Sequence, residues 1–468
     1  MNKINGLSLD LQKNNIDKIK ELFPEAVEEG KINFDMLRAM LGDEVDESRE
    51  KYQFTWNGKY QSIKIAQTPS SATLRPCKEK SKNWNNTENL YIEGDNLEVL
   101  KQLQKTCYGK IKMIYIDPPY NTGNDFVYND SFSCEIDNYK EQTRQNLNSN
   151  PETNGRFHTD WLNMMYPRLM LAKNLLSDKG VIFISIDDKE LDNLKKICNE
   201  IFGEANFVSN IIWQSTAGSN TGTDIVTITE YILVYTKNRA LFTFDGMVAS
   251  DKSYIFTDTY EKSRGKYALD KLDRRRVGSH YSQSLNYPIE MPDGTLRYPG
   301  GTSQITDEGW NYLWSKDKVK WGIENGFIEF KNVNGIWNVY NKRYAKMDNE
   351  GNYIERTIPF RNLITSDNCN TAQGTAELRE LFNMRPFDFP KPSKFVKLLL
   401  SQVLRKDKNS IVLDFFSGSA STAHAVMKLN AEDGGNRKFI MVQLPELCDE
   451  KSEAGTMSRK RTHKIDKF

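Results

Sequence analysis

The sequence predicts an α/β protein: a doubly wound, Rossmann-like, mostly parallel sheet with a second, α+β domain inserted into it. Three observations predict this. From residue 91 onward, short apolar strands alternate with helices, the pattern that builds parallel sheets. The segments 111–116 (IKMIYI), 181–186 (VIFISI) and 411–416 (IVLDFF) are near-continuous apolar runs, as strands covered on both faces require. Residues 240–385 interrupt the alternation with a stretch rich in Gly, Asn, Tyr, Trp and charge whose apolar runs are short.

Taken in order, residues 1–90 form a polar N-terminal extension, with an amphipathic helix at 16–26 and a hairpin expected over 52–65 around the Asn57-Gly58 turn signal. The first half of the sheet spans 91–239. Its strand at 111–116 ends on Asp117, a helix covers 160–177 with Leu162, Met165, Leu169, Ala172 and Leu176 at helical spacing, and a helix is expected at 188–202. Strands at 207–213 and 231–235 complete it. After the insert, the prolines at 390 and 392 break the chain and a second half runs over 386–446: a helix at 393–404, the strand at 411–416, a helix at 420–429 and a strand at 438–444. Residues 447–468 form a short basic tail.

Composition narrows the class. Of 468 residues, 38% are hydrophobic and 27% charged, which fits a soluble globular protein. No run approaches the roughly 18 apolar residues of a membrane helix, and the N-terminus has no signal-peptide core; the expected location is cytoplasmic. Six scattered cysteines without a Cys-x-x-Cys pair, and four histidines, argue against a disulfide framework and a metal centre. A net charge of +1 neither supports nor excludes nucleic acid.

Three constellations carry chemistry. Asp117-Pro118-Pro119-Tyr120 lies at the carboxyl end of a buried strand, where open α/β sheets bind ligands. An exocyclic amino group on a base is a poor nucleophile because its lone pair is delocalised. A carboxylate (Asp117) and a carbonyl held by two φ-locked prolines (Pro118, Pro119) can accept its N–H groups and expose the lone pair. Tyr120 offers a face on which an extruded base can stack. Downstream, Asp414-Phe415-Phe416-Ser417-Gly418 runs from a strand into a small-residue turn and a helix, which allows close approach of a nucleotide-like cofactor. Glu446 beyond the next strand, and Asp95 in Glu93-Gly94-Asp95-Asn96, are strand-end acids placed as ribose-binding acids are. Each also fits a plainer reading: a Pro-Pro turn, an ordinary strand–helix turn, solvated loop carboxylates.

With these residues in view, the chain resembles the Mod subunits of type III restriction-modification systems. The shared stretches are Leu22-Phe23-Pro24-Glu25, 91–100 (YIEGDNLEVL), 111–125 (IKMIYIDPPYNTGND), 285–301, 319–330, 387–392 (FDFPKP) and 414–427 (DFFSGSASTAHAVM). The resemblance implies a class I methyltransferase in the permuted β-class order, with the catalytic motif ahead of the cofactor motif. It implies S-adenosylmethionine as donor and adenine N6 of double-stranded DNA as acceptor. Asp117, Pro118, Pro119 and Tyr120 would be catalytic. Asp95, Asp414, Phe415, Phe416, Gly418 and Glu446 would bind cofactor, with Lys391 and Ser393 closing over its methionine end. The insert would be the target-recognition domain, with Lys271, Arg274, Arg275, Arg276, His280, Tyr281 and Tyr287 suited to phosphate and base contacts. A Mod homodimer and a Res partner are implied too.

Two departures stand out. Ala420 replaces a glycine common in this loop, which is tolerable unless the position needs positive φ. The resemblance also fades after residues 453–454. The remaining basic segment, 455–468, is expected to be disordered and reads as a truncated or frame-shifted end: methyl transfer retained, dimer or Res contacts of the tail lost. Two other readings fit the sequence, a non-catalytic DNA-binding specificity subunit and an N4-cytosine methyltransferase.

Overall fold

The computed structural model describes residues 8–28, 30–42, 53–121, 153–218, 225–248, 253–276, 278–305, 309–367, 369–445 and 451–457. The chain divides into a larger unit, residues 1–245 with 360–468, and a smaller one, residues 246–359.

The larger unit is built on an eight-stranded sheet. Its strands are β1 (Leu90–Glu93), β2 (Ile111–Ile116), β3 (Leu176–Ile186), β4 (Phe207–Gln214), β5 (Thr229–Thr236), β6 (Leu363–Ile364), β7 (Ile411–Asp414) and β8 (Lys438–Gln443). In space they run β6-β4-β5-β3-β2-β7-β8-β1. All neighbours are parallel except β5, which is antiparallel to both β3 and β4. The apolar runs follow from burial on both faces. Along β2, Ile114 and Ile116 enter one core while Met113 and Tyr115 enter the other; in β3, Ile182 and Ile184 oppose Val181 and Phe183.

Helices cover both faces. α1 (Lys59–Gln67), α2 (Asn96–Cys107), α3 (Thr153–Leu175) and α4 (Leu191–Phe202) contribute to one core. α6 (Ser393–Leu404) and α7 (Ser421–Asp433) contribute to the other, and α5 (Thr371–Phe382) precedes them. The adjacent strands β2 and β7 thus send their following helices, α3 and α7, to opposite faces. That is a topological switch point, where doubly wound sheets open a crevice.

Two expectations are corrected. Residues 52–65 do not form a hairpin, because the Trp56–Gly58 turn leads into α1. Gly58 has φ +91, and a β-carbon there would lie 2.6 Å from the Asn163 amide of α3. That amide accepts hydrogen bonds from the Trp56 indole (2.7 Å) and the Ser62 hydroxyl (3.1 Å). Packing on α3 therefore turns an Asn-Gly signal into a helix start. The insert is also shorter than 240–385, since residues 360–385 supply β6 and α5 to the larger unit.

In the smaller unit, strands Tyr267–Lys271, Ile328–Val333 and Ile336–Tyr344 form an antiparallel sheet. Strand Asp273–Arg275 pairs with Trp310–Tyr312. Tyr267, Leu272, Tyr312, Trp314, Phe327 and Tyr344 fill an aromatic core. Residues 453–457 are helical, so the tail's expected disorder does not hold at 455–457, while 458–468 lie outside the described residues. Among the described residues no helix is long and apolar enough to cross a membrane.

Arg168 of α3, fully buried, ties the two halves of the larger unit together. It donates to the Asn96 amide oxygen and the Met164 carbonyl, both at 2.6 Å, and Asn96 donates to the Phe415 carbonyl at 2.7 Å. Arg168→Met strands the Asn96 acceptor, and is expected to cost about 2–4 kcal/mol in urea denaturation.

Candidate active site

β2 delivers Asp117 to the carboxyl edge of the sheet, one strand from Asp414 at the end of β7. The Asp117 carboxylate and the Tyr120 hydroxyl meet at 2.8 Å. Two residues that sequence reading did not bring here complete the cluster's wall. Glu230, in β5, accepts from the Tyr120 hydroxyl at 2.9 Å. Trp161, fully buried in α3, donates its indole N–H to the Pro119 carbonyl at 2.7 Å and so fixes the Pro-Pro turn. Next to the motif, Asn121 takes φ +58 and its amide is held by the buried Glu190, which also bonds His158 and Asn193. Glu230 sits in an otherwise strand-like run, TEYILVYT, and nothing local to it signals a role.

Lys391 was expected at the cofactor. Its ammonium lies in the cluster around Tyr120, 3.0 Å from Asp117, 3.1 Å from Glu230 and 2.8 Å from the Tyr120 hydroxyl. Burial opposes its charge, yet the two carboxylates outweigh burial and raise its pKa above the usual lysine value. For Tyr120, burial and then Asp117 and Glu230 push the phenol well above its ordinary range, so it stays a neutral donor.

The second half of the site is the turn after β7. Asp414 organises it, accepting from the Phe416 N–H at 3.0 Å and the Thr422 hydroxyl at 2.6 Å. Burial, partly offset by these bonds, pushes its carboxyl up to about 7. Gly418 has φ +50, and a β-carbon there would come 3.1 Å from the Phe387 ring. Its N–H donates to the Gln443 side chain at 2.7 Å. Among the described residues the buried Ser417 hydroxyl has no hydrogen-bond partner, so the turn keeps a polar group of the kind a ligand can engage. The Lys391 carbonyl accepts from Ser421 at 2.6 Å, tying the Lys391 segment to the start of α7. That segment passes close to α5, where Gly374 leaves no side chain to block the Pro390 carbonyl.

Other expected cofactor residues are placed differently. The Phe415 ring is fully buried in the core rather than at the turn. Ser393 is also buried, with its hydroxyl donating to Glu377 at 2.7 Å and accepting from Lys428 at 2.8 Å; it anchors the start of α6. Asp95 caps α2 through the Glu98 N–H and lies 3.4 Å from Arg168. Glu446 lies outside the described residues.

In the smaller unit Arg274, Arg275 and His280 are exposed, Arg276 and Tyr281 are half-buried, and Lys271 pairs with Asp273 at 3.5 Å. The Tyr287 ring is core, with its hydroxyl donating to the Trp314 carbonyl, because an aromatic cluster needs it there.

Residues 111–448 match the family model of N6/N4 methyltransferases, described as DNA methylase. The chain belongs to this DNA methylase family. It is 35% identical over 87% of its length to the StyLTI Mod subunit of a type III restriction-modification enzyme from Salmonella typhimurium. It is 32% identical over 93% to the EcoP15I Mod subunit from Escherichia coli. It is also 32% identical over 76% to the type II methyltransferase M.KpnI from Klebsiella pneumoniae. The chain spans 61%, 71% and 80% of these proteins. The resemblance to type III Mod subunits read from the motifs is therefore present along most of the chain.

The family turn carries one strained residue. Ala420 adopts φ +61, a conformation costing a non-glycine residue roughly 1–2 kcal/mol. Ala420→Gly relieves it against an entropic cost of about 0.4–1 kcal/mol. A rise in stability of roughly 0.5–1 kcal/mol in chemical denaturation is expected.

Proposed function

We propose that this chain is a site-specific DNA adenine N6-methyltransferase using S-adenosylmethionine, the modification and recognition subunit of a type III restriction-modification system. The observation that carries the proposal is the juxtaposition of the Asp117–Tyr120 motif and the Asp414–Gly418 turn on adjacent strands at the switch point of the sheet. Two ligands that must react with each other need such adjacency.

The residues fit the cofactor. A tight glycine turn, the buried Ser417 hydroxyl and the Gln443-anchored backbone surround the place where a nucleoside–amino acid would lie, with Phe416 and Gly418 lining it. When bound, the cofactor supplies a methyl group on a positively charged sulfur. The chain's own work is to present the amine. Asp117 and the Pro118 carbonyl accept the N6 hydrogens, drawing the amine out of conjugation. Trp161 keeps the turn from relaxing. Tyr120 stacks on the extruded base, offsetting part of the few kcal/mol that flipping costs.

Asp117, rather than serine, at the first motif position favours adenine over N4-cytosine as acceptor. The exposed arginines at 274 and 275, with His280, are proposed DNA contacts. A homodimer and a Res partner are proposed on the likeness to Mod subunits.

Asp117→Ala removes one amine acceptor and leaves the arginine-bearing unit untouched. Methyl transfer to unmodified genomic DNA is expected to fall at least about 100-fold, with DNA affinity in gel shifts within about twofold. Near-normal methylation by this variant contradicts the mechanism.

A further inference from the structure

Methylating an amine leaves it one proton too rich, and the site must dispose of that proton. The residues around Tyr120 form a structure suited to the task. The Tyr120 hydroxyl has a single proton but contacts two carboxylates, Asp117 at 2.8 Å and Glu230 at 2.9 Å. It can donate to only one of them. The other contact is a hydrogen bond only when that carboxyl itself carries a proton. Among the described residues Lys391 is the only cation touching the three, and it compensates one negative charge of the two. Asp117, Glu230 and Lys391 therefore sum to minus one, and the cluster has room for one more proton.

From this geometry we infer that Glu230 is the terminal acceptor of the proton released from the methylated amino group, reached from Asp117 through the Tyr120 hydroxyl. The inference rests on the methyl-transfer reading above. As the nitrogen–methyl bond forms and the donor's sulfur–methyl bond breaks, N6 becomes positively charged. One of its protons passes to Asp117. Asp117 gives a proton to the Tyr120 oxygen while the hydroxyl's own proton moves to Glu230. The amine ends neutral, Tyr120 and Asp117 return to their starting states, and Glu230 holds the proton until the base leaves. Tyr120 never needs to ionise as a free phenolate, which accords with its strongly raised pKa.

Position supports this assignment. Glu230 is more buried than Asp117, with side-chain exposures of 17% and 26%. A base hydrogen-bonded to Asp117 covers that carboxylate and leaves the Tyr120 hydroxyl and the Lys391 ammonium as its onward contacts, and of the two only the hydroxyl oxygen can accept a proton. Among the described residues the other ionisable groups facing the cluster are few. Asp187, after β3, feels Glu230 as a like charge. Tyr115 lies beneath, within the field of Asp117, Asp414 and Glu230. Asp414 is engaged by Thr422 and the Phe416 N–H. None of these bridges the two carboxylates as Tyr120 and Lys391 do. Glu230 acts through Tyr120 and Asp117, so it is a positioning and relay residue rather than a group that touches the base.

The test is the pH profile of single-turnover transfer, with enzyme in excess over unmodified genomic DNA and N6-methyladenine read by mass spectrometry. In the native chain the rate falls as pH falls, because a proton already fills the relay. Glu230→Gln keeps shape and hydrogen bonding but cannot take a proton. The rate is expected to drop about tenfold or more. The acid limb should also move, since the carboxyl that ends the relay is gone. S-adenosylmethionine affinity by calorimetry should stay within twofold. An unchanged rate and profile, or a lower rate with the acid limb in place as a merely structural role would give, overturns the inference while leaving the methyltransferase reading intact. Absence of N6-methyladenine with the native chain overturns that reading and the relay with it.

Discussion

The ammonium of Lys391 is where the parts of this site meet. It pairs with two carboxylates, Asp117 and Glu230, and weakens the repulsion between them at the mouth of the sheet. Its backbone carbonyl accepts from Ser421, at the start of the helix that leaves the turn after β7. One residue thus couples the Asp117 motif, early in the chain, to the turn after β7, nearly three hundred residues later. Its ion pairs set the position of Asp117, and its segment reaches them only because Gly374 in α5 carries no side chain.

The permuted order of the chain has a simple physical basis. β2 and β7 are far apart in sequence, yet they are parallel neighbours, with Leu413 beside Ile114. Each needs burial on both faces, and each passes its following helix to a different face. The crevice between their carboxyl ends is a consequence of that divergence. Which half comes first along the chain does not matter to the geometry, provided the strands lie side by side. The smaller unit enters between the halves, after β5 and before β6, and carries its own aromatic core.

Much of this was legible in the sequence. Continuous apolar runs marked β2, β3 and β7 because burial on both faces leaves no room for polar alternation. The helix Ser393–Leu404 was readable to the residue, since Pro392 stops it on one side and its apolar spacing is regular. The two-residue strand β6 and helix α5 were not, because their pairing with β4 and their packing depend on tertiary neighbours. Asn57-Gly58 pointed to a hairpin, and only the amide of Asn163, more than a hundred residues away, decides otherwise. In the site, Asp117, Tyr120 and Gly418 announced themselves by motif. Glu230 did not, since a single carboxylate in a strand has no local signature until the fold places it beside Tyr120. Lys391 stands out by its Pro-Lys-Pro setting, but the sequence does not show that its side chain faces Asp117 and Glu230 while its carbonyl faces Ser421. Phe415 follows β7 directly and adjoins the Gly418 turn in sequence, yet its ring is fully buried in the core.

The central claim is that the Asp117 motif and the Gly418 turn together make one methyl-transfer site for adenine in DNA. Single-molecule sequencing of DNA from cells that carry this gene, compared with cells that lack it, tests that claim most directly. The account predicts N6-methyladenine at one recurring sequence that appears only with the gene. N4-methylcytosine in its place, or no modified base at all, would contradict it.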